Sequence, residues 1–426
     1  MSITRKVQVC AGTSLAVVFA VVICFLLLLS QTPLQARRHV SKLLEISKEN
    51  DVCELLKEIW PVNHDHHESW RWQTRRSIKN DSIELPTCEN HDIWTKDGYL
   101  LRLKRLVASS SKKKGVVMLI PGLGDSSATW LMSGVDHSLA GLLWKSGFEV
   151  WLLDVRGRAP YKHKLLTPDQ DEFWEWTLDE KIEHDIPEAI EFALKVSGSA
   201  KLKGIVAHSQ GSLLTLLTLA ENPRLSLRIE NAFLFAPPLG GWSPRYAFFP
   251  KGLFYPFLHN LIPLNHLGEV FDSTRAVISR ACLVLPWLCN KITCMASGCG
   301  AQSELSKERL SEIFTFYPIA TSLKNIEHLL HCERESGVVL AYDAVTNSRK
   351  MEWKTISVPL YFYFGTADAL VDERRYANGT ELFTKGVVKQ YKLLAYGHAD
   401  FVWGENAKEH IYDEILQVIS HGSIKH

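Results

Sequence analysis

The chain has 426 residues, 46% of them hydrophobic and 22% charged, and a formal net charge of +1. That balance excludes a disordered chain or a repeat array, and it leaves no strong field for nucleic acid; the run Lys112, Lys113, Lys114 reads as a solvated loop. The length allows two or three structural units, among them one α/β fold that absorbs an inserted subdomain.

Residues 9–29 carry no charge and are long enough to span a bilayer core as a helix. The expectation for 1–36 is a short cytosolic tail and an uncleaved transmembrane anchor. A secretory signal is the alternative, but its apolar region usually runs only about 7–15 residues, and the stretch after Leu29 makes a mediocre cleavage site. Residues 37–90 read as a polar lead-in with helical spacing around Leu43, Leu44 and Ile46. Its His64, His66 and His67 lie on no regular element that would aim them, so no metal site is expected.

Next come short apolar runs bounded by turn signals, at 115–120, 149–153, 204–206, 232–235 and 359–364. Such runs suit strands buried on both faces of a parallel sheet. Helical patterns intervene at about 135–146 and 178–196, so the alternation predicts a doubly wound core in two parts, 91–237 and 347–426. Between them the alternation stops, and residues 238–346, rich in aromatics, Pro and Cys, read as an inserted cap; structureless loops of that length are uncommon.

The segment 205–214 reads as strand, sharp turn and apolar helix, with Ser209 in the turn. A nucleophile elbow needs small residues two positions to either side, here Ala207 and Gly211. A serine hydroxyl also needs a base within reach and a carboxylate to orient that base. In the Ser, acid, His order of this fold, Asp368 follows a late core strand, with Asp372 as the rival, and His398 follows the strand at about 390–396. His208 reads as structural. For the developing oxyanion, Gln210 offers the N–H after the nucleophile. Pro121 has no N–H, so Leu123 is the expected second donor, with Gly122 letting substrate approach the backbone.

Several separated segments resemble the acid lipase family, the gastric and lysosomal acid lipases and their sterol ester hydrolase relatives. Residues 95–100 are similar to the family's first hairpin, 171–180 to its acidic and aromatic stretch, Ala207–Gly211 to its elbow, and 396–403 to its catalytic-histidine loop. Pro121 departs from the family's His, and Ala207 from its Gly. The resemblance implies an α/β-hydrolase fold, mostly parallel with helices on both faces and a cap over the site. It also implies long acyl chains in the substrate and the roles already given to Ser209, Asp368, His398, Leu123 and Gln210. Within the cap, 242–267 is dense in Phe, Tyr, Leu and Pro, suited to a lid surface and to the cap's own core.

The expected activity is therefore hydrolysis of neutral lipid esters, triacylglycerol or sterol ester, without a cofactor, at a membrane or lipid-droplet surface. Acyl transfer on the same triad and a catalytically idle lipid-binding module stay open. Cys282, Cys289, Cys294 and Cys299 suggest disulfides in an oxidising compartment. The resemblance implies one cap disulfide, with Cys289–Cys299 or Cys289–Cys294 as the expected pairs. The basic residues flanking 9–29 are nearly balanced. The sequons at Asn80 and Asn378, with seven cysteines beyond the anchor, favour a lumenal or extracellular domain. A secreted or lysosomal product and a domain on the cytosolic face are the alternatives.

Overall fold

The computed structural model describes residues 53, 85–108, 113–158, 161–239, 275, 278–301, 305, 309–334, 340–341, 349–350, 352–376 and 379–422. The expectations for 1–36, for the lead-in other than Cys53 and 85–90, for Asn80 and Asn378 and for the aromatic stretch 242–267 lie outside these residues. Among the described residues no helix is long and apolar enough to cross a membrane.

Five of the eight core strands follow from continuous apolar runs. Val116–Ile120 (β3), Glu149–Asp154 (β4), Gly204–His208 (β5), Ala232–Phe235 (β6) and Leu360–Gly365 (β9) are buried at every position. Cys88–Trp94 (β1) and Leu100–Leu106 (β2) form an antiparallel hairpin, and Val388–Leu394 (β10) closes the far edge. Leu340–Ala341 (β7) and Arg349–Lys350 (β8) form a separate antiparallel pair. The sheet order is β1-β2-β4-β3-β5-β6-β9-β10, and every neighbouring pair from β4 to β10 is parallel.

Because β3 lies between β4 and β5, the chain leaves it toward one edge and returns toward the other. That reversal opens a crevice at the carboxyl ends of the strands. Helices cover the sheet. Leu139–Lys145 (α1) is capped by Ser138, whose side chain accepts from the Gly141 N–H. Ile186–Ser197 (α2) buries Ile186, Ala189, Ile190, Ala193 and Leu194, a stripe of helical period. It ends at Gly198 in the left-handed conformation, where a glycine costs least. Gln210–Glu221 (α3) is buried from Gln210 to Ala220, as a helix in the middle of the molecule must be. The predicted helix 178–196 is interrupted by a π-turn over Lys181–Asp185.

Between β6 and β9 the described residues supply Pro286–Ser297 (α4), Leu310–Phe316 (α5) and Leu323–Arg334 (α6); Asp413–His421 (α7) ends the fold. Among the described residues there are three disulfides, Cys53–Cys88, Cys282–Cys289 and Cys294–Cys299. The expected pairs are thereby corrected: Cys289 bonds Cys282, and neither Cys289–Cys299 nor Cys289–Cys294 forms. Cys289 and Cys294 ride the same helix five residues apart, a rise of about 7.5 Å, beyond what a bridge spans. Cys282 lies in the preceding helical segment, which folds back at Leu285 and Pro286 and brings its Cα within 5.3 Å of that of Cys289.

Candidate active site

The crevice collects the ends of four strands. Ser209 follows β5 and precedes α3 with φ 52° and ψ −122°, a backbone conformation that an L-residue with a side chain rarely adopts. It is held there by its N–H donating to the Phe235 carbonyl (2.8 Å), while Ser212 Oγ donates to the same oxygen (3.0 Å). Gly211 is required by close approach: a Cβ there would lie 2.4 Å from the Pro121 carbonyl oxygen and 2.7 Å from that of Ile120. The turn that carries Leu123 and the first helical turn that carries Gln210 are therefore packed backbone to backbone. The N–H groups of a first helical turn have no intrahelical acceptor, and that of Gln210 is one of them.

Asp368 lies beyond β9 and is almost fully buried. Its Oδ1 accepts from the N–H groups of Leu370 (2.7 Å) and Val371 (2.9 Å), which leaves Oδ2 aimed at His398. His398 Nδ1 donates to Asp368 Oδ2 at 2.8 Å, and its Nε2 accepts from Ser209 Oγ at 2.8 Å. A carboxylate only accepts, so it selects this tautomer and leaves Nε2 free to take a proton. Asp372, the rival acid, turns to Arg374 instead, whose Nε lies 3.0 Å away. The arrangement can draw the proton from Ser209 as it attacks a carbonyl and return it to a leaving alcohol.

A family profile described as "partial alpha/beta-hydrolase lipase region" matches residues 86–134. The chain is 29% identical to the lipase lipl-1 of Caenorhabditis elegans over 359 residues, 77% of this chain and 87% of that protein. To human gastric triacylglycerol lipase it is 28% identical over 357 residues, 78% and 87% of the two chains. The chain is a lipase or esterase, similar to these lipases over 77–78% of its length. A soluble variant of monoglyceride lipase from Saccharomyces cerevisiae shares the fold of this lipase, with a TM-score of 0.50 at 13% identity over 80% of this chain and 97% of that one.

Two features of the lipase's site have little signal in sequence. His208, read as structural, donates from Nε2 to the His398 carbonyl (2.9 Å), so it holds the histidine loop from behind. Burial, and then the neighbouring His398, push its pKa down to about 3, which keeps the ring neutral and suits it to that bond. Lys181, on the π-turn, is buried, sits over the Trp176 ring at 4.6 Å and donates to Gln210 Oε1 at 3.2 Å. Gln210 Nε2 in turn donates to Asn325 Oδ1 of α6 at 3.4 Å. Burial pushes the Lys181 amine down to about 7. The one available signal was a lysine three residues after Leu178 on an otherwise apolar helix face. Among the described residues no cluster of His, Cys, Asp or Glu is arranged to hold a metal ion.

Proposed function

We propose that this lipase hydrolyses carboxylic esters of neutral lipids, triacylglycerol or sterol ester, through an acyl-enzyme on Ser209. The observation that carries the reading is the continuous chain from Ser209 Oγ through His398 to Asp368, with both bonds at 2.8 Å. His398 takes the hydroxyl proton as Oγ attacks the ester carbonyl, and Asp368 stabilises the imidazolium that forms. Charge on the carbonyl oxygen is met by the N–H groups of Leu123 and Gln210. Collapse expels the alcohol, protonated by His398, and a water activated by the same imidazole releases the fatty acid.

Residues 238–346 act as the cap that admits long acyl chains at a membrane or lipid-droplet surface. The similarity to a gastric triacylglycerol lipase supports the neutral-lipid reading. Three disulfides among the described residues support an oxidising compartment, hence a lumenal or extracellular domain behind a single anchor at 9–29. The decisive experiment is a panel of triacylglycerol, sterol ester, phospholipid and short-chain ester, with free fatty acid measured for the wild type and Ser209→Ala. Release of fatty acid from the long-chain neutral esters, lost in the variant, is the expected result. Equal turnover of every ester by the two proteins would remove the enzyme reading, and acyl transfer to an added alcohol without net acid release would replace hydrolysis.

A further inference from the structure

The two loops that carry Asp368 and His398 meet a third stretch of backbone, the C-terminal end of α4. One oxygen joins them. The Ser297 carbonyl accepts from the His398 N–H at 2.7 Å and from the Ala369 N–H at 3.2 Å. The packing around that oxygen leaves no room for side chains. A Cβ on Gly298, whose φ is +80°, would lie 1.9 Å from the Ala367 carbonyl oxygen. One on Gly300 would lie 1.6 Å from that of Ala395, and one on Gly397 would lie 2.0 Å from the Gly298 oxygen. The strip 297–300 is thus laid backbone to backbone against residues 367–369 on one side and 395–398 on the other. The peptide groups flanking the His398 Cα are consequently gripped at both ends, the N–H by Ser297 and the carbonyl by His208.

The strip is also closed covalently, by the Cys294–Cys299 bridge. Cys294 is in the last turn of α4 and Cys299 lies two residues past its end, so the bond closes the strip that contains Ser297. Its Cys299 end is exposed, whereas both sulfur-bearing residues of Cys282–Cys289 are buried. A thiolate attacks a disulfide only where it can reach it, so the two bridges differ in access.

We propose that the Cys294–Cys299 loop is a positioning clamp for His398 and Asp368, and that opening its exposed bridge lowers turnover while the fold persists. The inference rests on the triad reading. A dithiol supplies two electrons and two protons, is itself oxidised to a cyclic disulfide, and leaves two thiols at Cys294 and Cys299. Ser297 then loses its tether and His398 its fixed distance from Ser209. A displacement of about 1 Å at a reacting group can cost on the order of a hundredfold, so a fall in kcat of roughly ten- to a hundredfold is expected with KM little changed.

The test uses the full chain and two readouts, ester hydrolysis and the rate at which a fluorophosphonate probe labels the serine. Ser209→Ala is the reference, and labelling of that variant at the wild-type rate would defeat the triad reading itself. With Ser209 established as the labelled residue, the double variant Cys294→Ser/Cys299→Ser should label slowly and show the low kcat. It should also be indifferent to a mild dithiol that slows the wild type. A second measurement does not depend on the variant folding: graded reduction of the wild type, with alkylation to map the thiols. Activity should fall as Cys294 and Cys299 become alkylated and return on reoxidation. Wild-type kcat and labelling rate in the double variant, or full activity in protein whose 294–299 bridge is shown to be open, would overturn the clamp and leave the triad standing.

Discussion

Replacing Asp125 by Asn should make the stability of this lipase less dependent on pH, by an amount that the burial of Asp125 sets. Asp125 ends the turn beside Ser209, is buried, and accepts from the Ser126 N–H at 2.7 Å. The cation within reach is Arg158, but its Nη1 is committed to Asp154 at 2.9 Å, and Asp154 also binds Lys104 and the Ser127 N–H. Burial therefore dominates and pushes the Asp125 pKa from 3.8 up to about 7. Because the folded value lies above the unfolded one, the folded state holds this proton more tightly between those two values. Stability from this group is greatest below pH 4, declines as pH rises toward 7, and is constant beyond. At about 1.4 kcal/mol per pKa unit, the decline between pH 5 and pH 8 is about 3 kcal/mol. Asparagine keeps the oxygen that accepts from Ser126 and cannot ionise. Urea unfolding of both proteins, with disulfides intact, should show the variant gaining about 3 kcal/mol on the wild type from pH 5 to pH 8. Lys181 also titrates near this range, but it does so in both proteins and cancels in the difference. A difference that stays flat across this range would mean that Asp125 is already ionised in the folded protein at pH 5.

Asp368→Asn should lower kcat by about 10⁴, because the amide favours the wrong histidine tautomer, while Asp372→Asn should stay within a few-fold of wild type; the opposite ranking exchanges their roles. Gly211→Ala should cost about 1–3 kcal/mol and depress kcat, since its Cβ meets two backbone oxygens that cannot rotate away; a calorimetric scan with an activity assay checks both. Arg156 is buried between Asp185 (2.8 Å) and Asp97 (2.7 Å), so Arg156→Leu strips the buried Asp185 carboxylate of its guanidinium, leaving it the backbone N–H of residue 156, and should destabilise by about 3–5 kcal/mol in denaturant titration. For the lumenal placement, glycosidase treatment of protein from its native membrane should produce a mobility shift that is absent in Asn80→Gln/Asn378→Gln; unmodified protein that protease digests in sealed vesicles would place the domain in the cytosol.

How much of this could be read beforehand depended on which physical signal each part leaves. Strands β3, β4 and β6 are buried on both faces, so their apolar runs mark them almost to the residue. The last strand was expected at about 390–396 and runs Val388–Leu394, because Tyr396 has already left the ladder to accept from the Ala367 N–H (3.1 Å). The hairpin of β1 and β2 was legible only through resemblance, since Leu100–Leu106 carries Arg102, Lys104 and Arg105, and Lys104 is buried through an ion pair with Asp154 that spacing does not reveal. Ser209, Asp368 and His398 announced themselves by order along the chain and by following strands. Ser297 could not, because it acts through a carbonyl that every residue possesses. The cysteine pairing was hidden for a related reason: which sulfurs meet depends on where α4 begins and turns.

The Cys53–Cys88 bridge turns the stretch between its two cysteines, 35 positions apart, into a closed ring. Any single protease nick inside that ring cuts the chain without separating the pieces, and a gel run without reductant would not register the event. If residues 9–29 tether the protein, shedding of the hydrolase by one cut requires cleavage ahead of Cys53. A cut within the ring becomes release only when the sulfur bond is broken as well.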